Sequence, residues 1–311
     1  MQAVCALLAG ASRVGKRGIA RLCRDLFGVP ISPAPVCDLQ AKTAGALEPV
    51  AREAHRHVAG RPANVDETGW REGRKRGWRW VAVTARVTVF LVRLSRARKV
   101  LGELITGPLG VLTTDRYSAY DHLPASRRQV CWAHLRRDFQ AMIDRRNDGA
   151  VIGEDLLTYA DILLGQWKRV RDGALTRRGF RQSYLGWIRT GMKGFFERGI
   201  KCGCSTTAGV CRELLAVEPA LYTFAAVEGV EPTNDAAERA LRHAVCWRKT
   251  SYGTDSPSGS RFVERVLTVM ASCRQQARDV LEFLTACCRA ARDGTGAPSL
   301  HPDPAVRAVA E

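Results

Sequence analysis

The chain has 311 residues, 46% of them hydrophobic, which is enough for one large folded domain or two smaller ones. Its formal net charge of +17 is typical of proteins that contact a polyanion, most often nucleic acid, although a purely solubilising charge is the alternative. The 11 cysteines are scattered without a CxxC pair, so the sequence contains no common zinc-ligand spacing and favours a reducing compartment.

The N-terminal part is predicted to be helical. Apolar residues at helical spacing predict a short helix over residues 17–28. Ser32 is a candidate N-cap for a second helix, with Pro33 at the first position, where its missing N–H costs nothing. Residues 1–60 therefore have the outline of a helix-turn-helix, or of an ordinary packed helix pair. A polar helix over residues 40–59 is expected to complete this segment.

The strand signals come next. Residues 78–94 alternate and are rich in β-branched side chains, which predicts two antiparallel strands with a turn near Ala85. A basic amphipathic helix is expected over residues 95–106. Two short apolar strands are then expected at residues 110–113 and 129–131, and the second leads directly into a helix.

The C-terminal half is predicted to be mainly helical. Residues 140–230 carry few strand signals and are typical of an all-helical insertion. A helix capped by Thr233 or Asn234 should run through Leu241, and a long helix should follow a glycine-containing loop and reach Arg292. By composition, residues 293–311 are expected to form a disordered tail.

Three acidic residues have settings that suit metal chemistry. Asp66 follows Val65 and precedes a predicted turn, Asp115 ends an apolar strand, and Glu238 lies on a predicted helix. Two carboxylates at strand ends and one on a helix can hold hard cations such as Mg²⁺ over a sheet. Each acid taken alone is more typical of a turn or a cap. Metal-dependent nuclease chemistry is therefore one option among several at this point.

Four sequence blocks point to a family. The segments VDETGWREG, TTDRYSAYDHLP, CWAHLRRDF and PTNDAAERALRHAVCWRKTSYGTDSPSGSRFVERVLTVMASCRQQARDVLEFL resemble the signature blocks of the insertion-sequence-66 family of bacterial DDE transposases. The resemblance runs in order from about residue 10 to residue 292. It implies an α/β, RNase H-like fold, in which a mixed five-stranded sheet is flanked by helices. The catalytic domain would span residues 61–292 and contain the helical insertion.

The same resemblance implies a function. Asp66, Asp115 and Glu238 would be the catalytic and metal-binding triad, holding two Mg²⁺ ions for which Mn²⁺ can substitute. The enzyme would cleave double-stranded DNA at the ends of an insertion sequence and transfer the freed strand into target DNA. A homo-oligomer in the synaptic complex is expected, at the nucleoid in the cytoplasm and without a membrane.

Neighbouring residues are expected to support this chemistry. Asn234 and Arg242 lie four residues before and after Glu238 and are predicted to share its helix face, although a cap and a solvated charge are equally good interpretations. His134 could support the metal site or simply be buried at a helix start. The expected DNA contacts are Arg74, Lys75, Arg76, Arg242, Arg248 and Lys249.

The tryptophans of the basic segment have two possible roles. An exposed indole among Arg and Lys can stack on an unpaired base, whereas a hairpin tryptophan usually faces the core. We expect Trp80 to pack in the core.

Two alternative functions remain open at this stage. Members of the family normally carry more chain before the first block, often with a DNA-binding module, so the N-terminal part is expected to be shortened. The chain could then be a catalytically decayed, DNA-binding remnant. It could also be a general RNase H-like nuclease that cuts DNA lacking transposon ends and does not join strands. Mg²⁺-dependent nicking separates the remnant from the two enzymes.

Overall fold

The structure, a computed structural model, describes residues 1–301. It is a mixed α/β fold with a five-stranded mixed sheet, which confirms the fold class implied by the resemblance. The chain divides into two compact units. One combines Met1–Gly110 with residues 236–301 and is called the N/C unit here, and the other, the middle unit, is Val111–Asp235. No helix in the described part of the chain is long and apolar enough to cross a membrane.

The N/C unit contains three strands and most of the N- and C-terminal helices. In chain order these are α1 (Gln2–Gly10), α2 (Lys16–Phe27), α3 (Pro33–Ala46), α4 (Glu48–Val58), β1 (Ala63–Glu72), β2 (Lys75–Val83), β3 (Thr88–Arg93), α5 (Lys99–Leu104), α12 (Asp235–Ser251), α13 (Pro257–Gln275) and α14 (Val280–Asp293). The strands pair antiparallel, in the order β3-β2-β1.

The middle unit contains a parallel pair of short strands followed by helices. These elements are β4 (Leu112–Thr114), β5 (Arg128–Val130), α6 (Trp132–Asp144), α7 (Ala150–Arg171), α8 (Arg177–Phe180), α9 (Gly186–Ile200), α10 (Ser205–Ala216) and α11 (Thr223–Ala226). The prediction that the chain is helical after residue 140 is confirmed, with no strand between α6 and α12. Buried aromatic side chains from successive helices, including Trp132, Phe139, Trp167 and Phe196, form the core of this unit.

The N-terminal predictions are confirmed in part. The helix expected over residues 17–28 is α2, which ends at Gly28 in the left-handed conformation with φ 66°, and Ser32 is the N-cap of α3. The single polar helix expected over residues 40–59 is wrong, because α3 ends at Ala46 and α4 begins at Glu48. Pro49 lies in the first turn of α4, where a missing N–H is tolerated, and this favours a new helix start.

The N-terminal helices are integrated into the N/C unit. Helix α1, which the sequence did not predict, packs against α3, α13 and α14, and α3 also packs against α13. The helix-turn-helix interpretation of α2 and α3 stays a prediction.

The C-terminal predictions need two corrections. The long helix expected to reach Arg292 is two helices, since α13 ends at Gln275 and the Asp279 side chain caps α14 by accepting the N–H of Glu282 at 2.7 Å. The disordered tail was predicted to begin at residue 293, which is too early. Leu300 is buried, and its N–H donates to a carboxylate oxygen of Glu53 at 2.7 Å. Residues 302–311 lie outside the described part.

The basic amphipathic helix expected over residues 95–106 is shorter than predicted, because α5 covers only Lys99–Leu104.

Helix α13 covers the free edge of β3 with a ladder of side-chain hydrogen bonds. The Phe90 N–H donates to Thr268 Oγ1 at 3.0 Å, the Thr88 N–H donates to Ser272 Oγ at 3.0 Å, and the Val92 N–H donates to Glu264. The acceptors are every fourth residue of α13, about 6 Å apart, and the donors are every second residue of β3, about 6.6 Å apart. Because these spacings nearly match, successive hydrogen bonds can form along the whole of β3. An edge strand covered in this way cannot pair with another chain.

Removal of one acceptor from this ladder should destabilise the N/C unit. In Thr268→Val the shape is kept, but the buried N–H of Phe90 loses its acceptor, so we expect the free energy of unfolding to fall by about 1–3 kcal/mol. Urea denaturation measures this loss. Thr285→Val, which removes a part-exposed helical hydroxyl of α14, is the matched control and should change little. Equal effects of the two substitutions would contradict the role of the ladder.

Candidate active site

Asp66 lies within β1 rather than at its end. It is the fourth residue of the strand, is half-buried, and pairs in register with Val81 of β2. Its Oδ1 atom accepts the N–H of Glu67 at 2.8 Å. The expected turn after Asp66 is wrong, because Gly69 is accommodated inside the strand.

Glu67 points to the other face of the strand, as the alternation of side chains requires. Its side chain is fully buried, and its Oε1 atom accepts a hydrogen bond from Nε of Arg96 at 2.7 Å. This buried carboxylate is therefore neutralised by its own cation, Arg96.

Gly69 lies where α12 approaches β1. A Cβ at this position would lie 3.0 Å from Nη1 of Arg248, and this guanidinium donates a hydrogen bond to the Gly69 carbonyl. A glycine inside a strand commonly marks such a close approach. Arg248, expected as a phosphate clamp, thus helps to hold α12 on the strand.

The segment after α12 is joined to the C-terminal end of β1, near Gly69. The Thr254 N–H donates to the Arg71 carbonyl at 3.0 Å, and the Gly73 N–H donates to the Thr254 carbonyl at 2.7 Å. The Trp70 indole N–H also donates to Thr254 Oγ1, at 3.2 Å. The C-terminal end of α12 is therefore joined to residues 69–73, at the C-terminal end of β1 and the turn that follows it.

The first half of α12 lies toward the opposite end of β1. Ala236, Arg239 and His243 line a cavity of about 610 Å³ together with Val83, whose partner in β1 is Asn64. The His243 ring also bonds to the carbonyl of Gly10 at 2.7 Å.

Helix α12 therefore runs in the same direction as β1 and over the face that carries Asp66. Glu238, half-buried in the first half of the helix, is placed toward the Asp66 end of the strand. This arrangement confirms that Glu238 is helical and brings two of the three predicted acids to one side of one unit.

A buried guanidinium lies on this same face. Arg79 pairs in register with Thr68 and is fully buried, with its guanidinium carbon 3.6 Å from the centre of the Trp70 ring. Within residues 1–301 no hydrogen-bond acceptor reaches its three nitrogen atoms. Burial lowers the pKa of Arg79 to about 9, which the charge of Glu264 opposes. Sequence reasoning missed this residue because it belongs to an arginine-rich segment that is otherwise exposed.

Asp115 lies in the middle unit, directly after β4, as predicted. It is half-buried, and its Oδ1 accepts the N–H of Tyr117 at 2.9 Å, which forms a tight turn. Arg128 is buried beneath this turn and donates to the Asp115 carbonyl at 3.1 Å and to Asp121 Oδ1 at 3.1 Å. These contacts hold the Asp115 backbone in place.

Two predicted supporting residues also lie in the middle unit. Asn234 is buried immediately before α12, and its N–H donates to Sγ of Cys131 at 3.1 Å. It therefore lies directly before the first residue of α12, four residues ahead of Glu238. His134 is half-buried in the first turn of α6.

The predicted DNA-contacting cations differ in exposure. Arg74, Lys75 and Arg76 are exposed at the turn between β1 and β2 and at the start of β2. Arg242 and Lys249 of α12 are also exposed.

The tryptophans of this segment are poorly exposed. Trp80 is fully buried, which agrees with its predicted core position, and Trp70 is also buried. Trp78 is half-buried between the guanidinium groups of Arg76 and Arg96, which lie 5.0 and 4.6 Å from its ring centre. None of these three rings is open for stacking on a base.

Comparison with known proteins identifies the family. Residues 11–261, well over half of the chain and including all three acids, match the family described as "Transposase IS66 family". The chain belongs to the IS66 transposase family. It is also 28% identical over 198 residues to the "Uncharacterized protein y4qI" of Sinorhizobium fredii. That match covers 58% of this chain but only 36% of the relative.

Replacement of Arg79 tests whether its charge is structural. Arg79→Met removes a buried charge whose nitrogen atoms have no hydrogen-bond acceptor within residues 1–301, at the expense of its stacking on Trp70, so we expect the free energy of unfolding to rise by about 1–3 kcal/mol. Because the pKa of Arg79 is lowered to about 9, the charge penalty is complete below pH 9 and shrinks as the pH rises through this value. The difference between wild type and Arg79→Met should shrink in parallel.

Urea denaturation at several pH values measures both effects. Arg76→Met, which changes an exposed arginine of the same strand, should alter stability by less than about 0.5 kcal/mol. A strongly destabilised Arg79→Met variant would contradict this, because the stacking on Trp70 and the charge of Glu264 would then outweigh the cost of burying the guanidinium.

Proposed function

We propose that this chain is a DNA transposase that cuts DNA at the ends of an insertion sequence and joins the freed strand to target DNA. The observation that carries the proposal is the family match over residues 11–261, which contains Asp66, Asp115 and Glu238. The geometry of the N/C unit supports the choice of acids, since α12 runs over the face of β1 that carries Asp66. The net charge of +17 suits a DNA substrate.

The proposed catalytic acids are suitable in kind for Mg²⁺. All three are carboxylates, the oxygen donors that Mg²⁺ prefers, and all three are half-buried, so they remain open to solvent. Within residues 1–301 no group of three His, Cys, Asp or Glu side chains is close enough together to hold a metal ion. Two Mg²⁺ ions, or Mn²⁺ in their place, would be held by Asp66, Asp115 and Glu238 and would supply Lewis-acid stabilisation of the phosphoryl oxygens.

The reaction has two balanced steps. Water attacks the phosphodiester at the element end, the 3′-oxygen leaves as a hydroxyl, and a 5′-phosphate remains. The freed 3′-hydroxyl then attacks a phosphodiester of target DNA and releases a new 3′-hydroxyl. Neither step needs a nucleophilic side chain, so the protein contributes positioning and charge.

The protein's own cations would position the DNA. Arg242, exposed one helical turn after Glu238, would contact a phosphate near the cut. Arg74, Lys75, Arg76 and Lys249 are exposed at the other end of β1 and α12 and would bind the flanking backbone. We propose that Asn234 and His134 support the active site, that Arg248 contributes to DNA binding from the end of α12 that it holds, and that synapsis of two ends requires a homo-oligomer.

Substitution of each acid tests the function. Full-length Asp66→Asn, Asp115→Asn and Glu238→Gln should each lower the Mg²⁺-dependent nicking of supercoiled plasmid by at least about 100-fold, because each removes a charge that the transition state needs. Circular dichroism checks that the variants fold. Asp161→Asn and Glu282→Gln, which change exposed acids on α7 and α14, should nick as wild type does.

The outcome also separates the alternatives. Nicking that survives all three substitutions would contradict the proposal. DNA binding without any metal-dependent nicking would indicate a decayed remnant. Cleavage that ignores element ends, with no strand transfer to a second DNA, would indicate a general nuclease.

A further inference from the structure

Tyr252 combines high exposure with an unusual backbone. Its side chain is 77% exposed, the largest value among the exposed large hydrophobic side chains of the described chain. Its φ is +61°, a left-handed conformation that glycine adopts freely and that is costly for an aromatic residue. Glycine is common at this position after a helix, so a tyrosine there needs an explanation outside the stability of the fold.

The loop that carries Tyr252 is firmly built. The Tyr252 N–H donates to the Arg248 carbonyl at 2.8 Å. Gly253 follows with φ +121°, and a Cβ there would overlap the Arg71 carbonyl oxygen. Thr254 then bonds to Arg71, Gly73 and Trp70, as described above, and to Ser260 Oγ at 2.8 Å. The ring of Tyr252 therefore projects into solvent from a fixed backbone.

The surroundings of Tyr252 are strongly basic. Lys249 is exposed one helical turn before it, and Arg71, with which its loop is bonded, is exposed on β1. Arg74 and Lys75 are exposed at the adjoining hairpin tip. The nearby Asp255 is paired with Lys16 at 4.0 Å. An exposed aromatic ring among exposed cations has the composition of a surface that binds single-stranded nucleic acid.

We propose that Tyr252 stacks on an unpaired base of DNA, while the cations around it bind the adjoining phosphates. The structure thereby assigns to Tyr252 the stacking role that the buried or sandwiched tryptophans of the hairpin do not fill. This inference rests on the proposed function and adds to it a contact with unpaired DNA.

The location of Tyr252 defines its role as binding rather than chemistry. It follows Glu238 by 14 residues, which corresponds to about 20 Å along α12, or about six nucleotide steps. Tyr252 should therefore hold DNA beside the cut and leave the reacting phosphodiester to the acids. Its substitution should raise the DNA concentration needed for half-maximal nicking and leave the rate at saturating DNA unchanged.

The test measures binding of two probes without metal. Fluorescence anisotropy of the full chain with a labelled single-stranded oligothymidylate of roughly 16 nucleotides, and with a duplex of equal length, is recorded in EDTA. Tyr252→Phe and Tyr252→Trp should bind the single strand within about twofold of wild type, and Tyr252→Leu and Tyr252→Gly should bind it about 5- to 100-fold more weakly. The duplex should respond much less.

The melting temperatures of the variants show whether weaker binding comes from the loss of the Tyr252 ring or from a less stable fold. Tyr252→Gly should melt at or above the wild-type temperature, because glycine accepts the positive φ, so its weaker binding could not come from unfolding. Trp187→Leu, which removes an exposed ring from α9, is the control and should bind as wild type does.

Equal single-strand binding by Tyr252→Leu and wild type would overturn the inference and leave the transposase proposal intact. Loss in Tyr252→Phe as large as in Tyr252→Leu would also overturn it, because the hydroxyl and not the ring would then matter. A wild-type chain that binds neither probe would overturn the proposed function as well.

Discussion

The contact between Arg248 and the backbone of β1 determines where the helix that carries Glu238 lies. Glycine at position 69 leaves room for this contact, since a Cβ there would lie 3.0 Å from Nη1 of Arg248. The bonds of Thr254 to Arg71 and Gly73 fix the same end of the helix a second time. With its C-terminal end held at two points, α12 runs along the face of the strand that carries Asp66, where the ring centre of Trp247 lies 5.9 Å from the guanidinium carbon of Arg79. The position of a proposed catalytic acid therefore depends on contacts about 15 Å further along the helix.

Fixed backbone at one end of α12 has a second consequence. The same bonds that dock the helix also hold Tyr252 in a conformation that its side chain disfavours. Some residues of this segment therefore anchor α12 to β1, and their neighbours are proposed to contact DNA. Arg248 and Lys249 illustrate the division, because the first is engaged with the protein backbone and the second is exposed.

Much of the fold follows from local sequence patterns. The strands β2 and β3, their turn, α2 with its terminal glycine and the helices after residue 140 were all predictable, since each depends on periodicity or on a capping residue. Asp115 was placed correctly because an apolar run ends directly before it. Asp66 was placed at a strand end because a turn was expected after it, whereas Gly69 lies inside the strand, next to Arg248 of α12. No local pattern reports such a tertiary contact.

Whether a charged side chain is buried, paired or exposed was the hardest feature to predict from the sequence. Arg74, Lys75, Arg76 and Arg79 belong to one basic segment, yet only Arg79 is buried, because its register places it beneath Trp70. Likewise, the pairing of Glu67 with Arg96 distinguishes it from its neighbour Asp66, and the sequence gives only the alternation of faces. Tyr252 had no signal beyond a glycine after it.

The most direct test of the central claim locates the metal on the polypeptide. Fe²⁺ bound in place of Mg²⁺ generates hydroxyl radicals with ascorbate and peroxide, and these cut the backbone close to the metal. Mass spectrometry of the fragments should find cuts near residues 66, 115 and 238, and excess Mg²⁺ or the combined Asp66→Asn, Asp115→Asn and Glu238→Gln substitutions should abolish them. Cuts confined to other segments, or unchanged by these substitutions, would contradict the assignment of the three acids as the metal-binding catalytic centre.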